Sequence, residues 1–404
     1  MKLAVITTAQ FPYSHADVIT ARWHTSREID RLWGWQGPRT TIASVYVDQF
    51  GSDDSARKTW QDHGVPIFPT IAKALTLGGD DLAVDGILLI GEHGDYPLNA
   101  YGQKLYPRKE FFDQIVEVFN NRGQSVPIFC DKHLSWNLSL AQEMVTTSQR
   151  LGFLLLGGSS VPHCRYLRNT DFHSADIEEV VSVFHRPLES YAFHSLEIVQ
   201  SLIEDRPGGE SGVQSMTAWV GDDLVKAQKD PCWPTDLIAA ACTAQRVPPP
   251  TYQMPPYRDD DDVETPSVTW TLVHRDGLRV THFRQRENPH GGFSVAIRRR
   301  GAEQIETVVP LTGTFESFVP HFACLAEVIE NAFLTGQPPF PIQRTLLTTG
   351  SLEAMMRATQ QSNQMLLTPQ LEIGYQFSER REIPLLTAEQ LANHPSCHFP
   401  ESPS

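Results

Sequence analysis

The chain has 404 residues, with 33 lysines and arginines against 48 aspartates and glutamates, a net charge of -15. Single hydrophobic cores stop growing at roughly 250 to 300 residues, so this length calls for at least two domains. The acidic balance argues against a nucleic-acid or anionic-membrane partner, and no stretch reaches the ~20 apolar residues of a membrane span.

From residue 1 to about residue 160, short apolar runs alternate with helical patterns, the mark of a parallel sheet with crossover helices. Strands are expected at 3–6, 41–47, 65–68, 86–90, 126–130 and 153–156. Ser14 with Asp17 three places on announces the first helix, Gly64 ends the second, and a third runs over 138–151. Asp131-Lys132-His133 directly follows the apolar run 126–130. An ammonium is thereby placed at the carboxyl end of a buried strand, where α/β sheets bind ligands.

Asp48 follows the second strand, at the place where dinucleotide folds keep an acid for the adenosine ribose; an ordinary turn aspartate fits the spacing equally well. Between the first strand and its helix such folds want G-x-G-x-x-G, so that bare backbone can approach a pyrophosphate. Here the segment runs Thr7-Thr8-Ala9-Gln10-Phe11-Pro12-Tyr13-Ser14, and the first glycine is Gly34. The hydroxyls of Thr7, Thr8 and Ser14 and the backbone amides are left to hold an anion, while Cβ atoms and Phe11-Pro12 crowd the approach.

Beyond residue 160 a helix is expected around 191–203, then strands at 213–220, 268–274, 278–283, 292–298 and 305–310, with Arg275-Asp276-Gly277 as a hairpin turn. These suggest an open, mainly antiparallel sheet, whose uncovered face would be buried against a sister subunit in a homo-oligomer. Arg298-Arg299-Arg300 beside Gly301 reads as a solvated turn. The proline-dense stretch 248–256 and the aspartates 259–262 read as an exposed connection. A last helix over 351–362 carries Leu352, Met355 and Met356 as packing residues. The expected fold class is α/β: a Rossmann-like parallel sheet over 1–160, an α+β substrate or oligomerisation domain over 161–345, and a helix and tail over 346–404. Six cysteines without C-x-x-C spacing read as reduced thiols, and the start of the chain lacks the pattern of a secretory leader, so a cytoplasmic location is expected.

This order of elements, the lysine tripeptide after the fifth strand, the strand ending in Gly157-Gly158-Ser159-Ser160, and the stretches 321–330 and 336–339 together resemble the Gfo/Idh/MocA family of glucose-fructose oxidoreductase and inositol dehydrogenase. The resemblance implies an oxidoreductase that uses NAD or NADP on a sugar, polyol or related hydroxy compound. Lys132 matches the family lysine, although the family pattern Glu-Lys-Pro is here Asp131-Lys132-His133. Its charge favours a developing oxyanion. His194 stands where the family carries the histidine that takes the hydroxyl proton; Ser190 holds the place of the family's preceding aspartate. Glu92 and His93 fall where the family touches its cofactor, and Asp95, Arg165 and Tyr191 where it touches substrate.

Two other readings stay open. Glu92, His93, His133 and His15 could assemble a divalent metal, giving a cofactor-independent or metal-assisted lyase, hydrolase or isomerase with Lys132 in its site. A non-catalytic ligand-binding protein would keep the architecture alone.

Overall fold

A strand that is apolar on both sides needs cover on both sides, and residues 3–6, each fully buried, find it at the centre of a parallel sheet. The computed structural model describes residues 1–25, 27–168, 173–185, 188–229, 231–247, 257–258, 264–265, 268–285, 292–313 and 317–377. It divides into one unit of Met1–Asn99, Lys104–His163 and Gly313–Thr349, and a second of Ala100–Gln103, Cys164–Thr312 and Gly350–Ser404.

In the first unit the order is β1 (Lys2–Thr7), α1 (His15–His24), α2 (Glu28–Leu32), β2 (Thr41–Val47), α3 (Ala56–Asp62), α4 (Ile71–Leu75), β3 (Gly86–Ile90), α5 (Arg108–Arg122), β4 (Ile128–Asp131), α6 (Leu138–Leu151) and β5 (Leu155–Gly158). The strands lie parallel in the order β2-β1-β3-β4-β5. The chain grows to one side of β1 with β2 and to the other with β3, so the crevice outside these two carboxyl ends is the topological switch point of the sheet.

Five strands are present where six are expected. Residues 65–68 make a single parallel bridge, Ile67 to Val45, because Pro66 and Pro69 have no N–H to offer a ladder. The expected strands 126–130 and 153–156 begin two residues later, as β4 and β5. Ser14 caps α1 as expected, its hydroxyl accepting from Asp17 N at 3.3 Å.

A further helix, α10 (His321–Thr335), belongs to the first unit. The buried Glu330 on it accepts from the backbone N–H of Arg39 and Thr40 and from Arg39 Nε, all within 3.1 Å, at the entrance to β2. Two anchored amides and a guanidinium compensate the desolvation of that carboxylate.

The second unit contains β6 (Arg165–Arg168), β7 (Ile177–Phe184), α7 (Leu188–Ile203), β8 (Val213–Val220), α8 (Asp222–Ala227), α9 (Thr235–Ala244), β9 (Tyr257–Arg258), β10 (Glu264–Thr265), β11 (Val268–His274), β12 (Arg279–Arg284), β13 (Phe293–Arg299), β14 (Glu306–Leu311) and β15 (Met365–Leu367). The helix α11 (Gln343–Thr359) starts earlier than the expected last helix and stops earlier. The large sheet runs β15-β8-β11-β12-β7-β13-β14-β6 and is antiparallel except between β12 and β7.

This sheet is not open on one face. Val181, Val183, Phe283 and Ala296 pack against Leu224 of α8 and Leu237, Ile238 and Ala241 of α9. On the other side Ser195 of α7 hydrogen-bonds Ser182 at 2.7 Å and His282 at 2.8 Å. Helices of the same chain thus supply the cover that a sister subunit was expected to give. Arg299 is likewise no solvated turn residue: it is buried, with two hydrogen bonds to the Glu306 carboxylate at 2.7 and 2.8 Å. Residues 248–256 and 259–262 lie outside the described residues. Cys130, Cys164, Cys232, Cys242 and Cys324 are all free thiols, and among the described residues no helix is long and apolar enough to cross a membrane.

Candidate functional site

At the end of β4 the backbone turns sharply. Lys132 sits in the left-handed region at φ 62°, which costs a residue with a side chain about 1–2 kcal/mol. Two backbone hydrogen bonds to Gly158 hold it there, Lys132 N to Gly158 O at 3.1 Å and Gly158 N to Lys132 O at 2.9 Å. The turn brings the Lys132 ammonium into direct contact with the Glu92 carboxylate, both side chains more than nine-tenths buried. Glu92 is presented by the segment after β3, where Gly91 lets Arg108 pass: a Cβ there would lie 2.6 Å from Arg108 Cγ. Residue 93 is also left-handed, at φ 71°. Two strained positions in one cluster are the kind of feature that collects at functional sites.

The electrostatics follow from burial and partners. Desolvation would raise the Glu92 pKa, but Lys132, His15, His93 and Arg108 together hold it well below the ordinary carboxylate range. Arg108, on the first turn of α5, brings Nη2 to 3.7 Å from Glu92 Oε2. Its Nη1 lies 3.3 Å from His133 Nε2. The other nitrogen of that ring is 2.9 Å from the Ser135 carbonyl, which assigns the proton to Nδ1. Burial, with the Arg108 charge beside it, keeps His133 neutral, its pKa well below the imidazole range. Burial also pushes His93 down to about 4; its Nε2 has no hydrogen-bond partner among the described residues.

Asp131, the last residue of β4, points the other way. Its Oδ2 lies 2.7 Å from Nδ1 of His15, with the aspartate side chain 1% exposed and the histidine 14%. A buried carboxylate on one imidazole nitrogen fixes the orientation of the ring, as the orienting group of a general base does. The His15 ring packs edge-on against Phe322 at 5.1 Å and lies 5.9 Å from His93.

Sequence reasoning placed Lys132 and Glu92 at this edge, and the structure brings them together. It used His15 only as a metal ligand and overlooked Arg108 altogether. The signal available for His15 was its position immediately after the helix cap, facing the carboxyl ends of the strands.

One ligand atom each from His15, Glu92 and Asp131 lies within 4.8 Å of the others. Glu92 is, however, already matched by Lys132 and Arg108, and a cation there would have to displace the ammonium, while Asp131 is engaged by His15. With His133 Nδ1 given to a carbonyl, the expected four-residue metal set is not assembled.

The β1–α1 turn differs from a dinucleotide site in a specific way. Thr7 Oγ1 donates to Ile90 O at 2.9 Å and Thr8 Oγ1 to Glu92 O at 2.6 Å; both threonines are fully buried and tie the end of β1 to the end of β3. Phe11 N donates to Ser14 Oγ at 3.1 Å and Tyr13 N to the Asp17 carboxylate at 2.9 Å. Gln10 is buried, its Oε1 accepting from Trp60 Nε1 at 2.8 Å. At Asp48 the two carboxylate oxygens accept the phenol protons of Tyr46 at 2.8 Å and Tyr96 at 2.7 Å. The Thr7 and Thr8 hydroxyls and the Phe11 and Tyr13 amides are engaged within the chain, and side chains stand where glycines would bare the backbone, so this turn does not fit a pyrophosphate.

Asp95 is exposed and exchanges backbone hydrogen bonds with the Gln49 amide at 2.8 and 3.0 Å. Arg165, Tyr191 and His194 belong to the second unit. Arg165 opens β6, while Tyr191 stacks on Phe293 at 5.7 Å and His194 packs edge-on against both rings at 5.8 Å.

No protein-family model matches the chain, and no curated protein matches it in sequence. Solved structures do. The chain is similar to myo-inositol dehydrogenase from Lactobacillus casei in complex with NAD(H) and myo-inositol, with a TM-score of 0.58 at 11% identity over 91% of this chain and 96% of that one. It is similar to apo scyllo-inositol dehydrogenase from Lactobacillus casei, with a TM-score of 0.56 at 10% identity over 91% and 98%. It is also similar to myo-inositol 2-dehydrogenase from Lactobacillus plantarum, with a TM-score of 0.55 at 12% identity over 91% and 99%. At such identity the likeness is one of fold, and the fold is that of the Gfo/Idh/MocA-type oxidoreductases.

Proposed function

We propose, for a chain with the fold of the inositol dehydrogenases and a β1–α1 turn filled by its own side chains, an enzyme of proton transfer on a sugar, polyol or related hydroxy compound. The observation that carries this reading is the 2.7 Å pair of His15 and Asp131 beside the buried Lys132 and Glu92 pair. In this mechanism His15 Nε2 takes the proton from a carbon next to a carbonyl, the C–H electron pair moves to the carbonyl oxygen, and Lys132 steadies the oxyanion. Asp131 stabilises the imidazolium so formed. An ammonium has three donors, so Lys132 can keep Glu92 and meet the oxyanion at once. His15 carries this role because the Asp131 carboxylate orients it beside Lys132 and Glu92. The substrate class is supported by the fold likeness, since one of the similar structures is described as holding myo-inositol.

The redox reading, an oxidoreductase using NAD or NADP with the same lysine, is favoured by the NAD(H) of that same structure. The filled turn opposes it, so no step is derived through the cofactor. A homo-oligomer loses the basis it had in an uncovered sheet face, and a cytoplasmic location is proposed on the free thiols.

The test is solvent exchange. Aldoses, ketoses and keto-inositols are incubated with the protein in D2O and followed by proton NMR. Deuterium should enter at the carbon beside the carbonyl with wild type and not with His15→Asn. Equal exchange by both would remove His15 from the mechanism.

A further inference from the structure

We infer that the β1–α1 turn of this chain does not hold a dinucleotide. A pyrophosphate bound at such a turn needs free backbone N–H groups ahead of a helix N-terminus and bare approach to them. Side chains of this turn stand against both.

The amides of Phe11 and Tyr13 already donate, to Ser14 Oγ and to the Asp17 carboxylate. That carboxylate stands in the first turn of α1, where it takes the favourable position of an anion at the positive end of the helix and repels a second one. The hydroxyls of Thr7 and Thr8 are given to the carbonyls of Ile90 and Glu92, so those hydrogens are not left for an anion. Gln10 fills the space beneath, buried and bonded to Trp60. At the far end of a dinucleotide, the acid that would receive ribose hydroxyls is Asp48, and two tyrosines already donate one hydrogen bond to each of its oxygens.

The same hydrogen bonds reach the acid–base cluster: Thr8 holds the carbonyl of Glu92, and Glu92 holds Lys132, so the turn also positions the ammonium. Fixed charges of this kind are what an oxyanion needs and what an open cofactor cleft would loosen.

Calorimetric titration of the full chain with NAD+, NADH, NADP+ and NADPH tests the inference, run beside the variant Tyr13→Glu. Residue 13 is 47% exposed and precedes the helix cap, so the change adds a carboxylate at the phosphate position without entering the core. No saturable heat up to about 1 mM is the expected result; saturable heat that Tyr13→Glu leaves unchanged would place the ligand elsewhere and uphold the inference. Binding weakened tenfold or more by Tyr13→Glu would overturn it. The deuterium exchange of the proposed mechanism is measured without dinucleotide, so its failure would strike His15 and leave the inference about the turn untouched.

Discussion

The Lys132 and Glu92 pair makes the sharpest energetic prediction. Their side chains are 4% and 7% exposed. Removing one partner of a buried pair strands the other charge and costs about 3–5 kcal/mol, while replacing both with neutral groups of similar size costs far less. Arg108 Nη2, 3.7 Å from the second oxygen of Glu92, keeps part of the neutralisation when the lysine is lost. Lys132→Met should therefore fall at the lower end, about 3 kcal/mol, and Glu92→Gln should cost at least as much. The double variant should be destabilised by less than the sum of the two, with a coupling of roughly 3 kcal/mol. For a unit of this size 3 kcal/mol corresponds to about 6–12 °C in melting temperature.

The pH dependence has a definite sign. The folded pKa of Glu92 is depressed, so its contribution is present above the unfolded value of about 4.3 and is lost as pH falls toward the folded one. In Lys132→Met burial raises the carboxyl instead. The stability gap between that variant and wild type should therefore narrow from pH 8 to pH 5. Chemical denaturation of the three variants followed by circular dichroism measures all of this. Additive losses within about 0.5 kcal/mol, or a gap independent of pH, would refute the buried ion pair.

Asp131→Asn should lower the exchange rate by about 10²- to 10⁴-fold, since the ring loses its orienting charge, with little change in melting temperature; steady-state exchange kinetics and calorimetry report the two separately. Gly91→Ala should destabilise by about 1–3 kcal/mol, because the new methyl collides with the Arg108 stem and the surroundings are fully packed. Trp60→Phe strips the donor from the buried Gln10 carbonyl and should cost about 1–3 kcal/mol in denaturant unfolding. Chelator treatment should leave exchange activity and melting temperature unchanged, with less than stoichiometric metal by elemental analysis, because Lys132 and Arg108 already balance Glu92.

What the chain order disclosed was local. The run 126–130 followed by a charged tripeptide placed Lys132 at a strand end, and the Ser14 cap was readable from its acid partner. The strand expected at 65–68 shrank to one bridge because flanking prolines outweighed its apolar pattern. The helix α5 went unnoticed because its start carries no side-chain cap, only Pro107. Contacts at long separation were out of reach: His15 and Asp131 are 116 positions apart, and Glu330 meets Thr40 across 290. Apolar spacing likewise could not say that α7 covers one face of the large sheet and α8 with α9 the other.

The assignment of His15 as an Asp131-oriented base is tested most directly by long-range proton–nitrogen NMR of the histidine rings, with His15→Asn identifying the signal. A His15 ring that carries a proton on Nδ1, shared with Asp131, is the predicted result, and in Asp131→Asn that preference should vanish. A His15 ring carrying its proton on Nε2 in the wild-type protein would contradict the mechanism at its base.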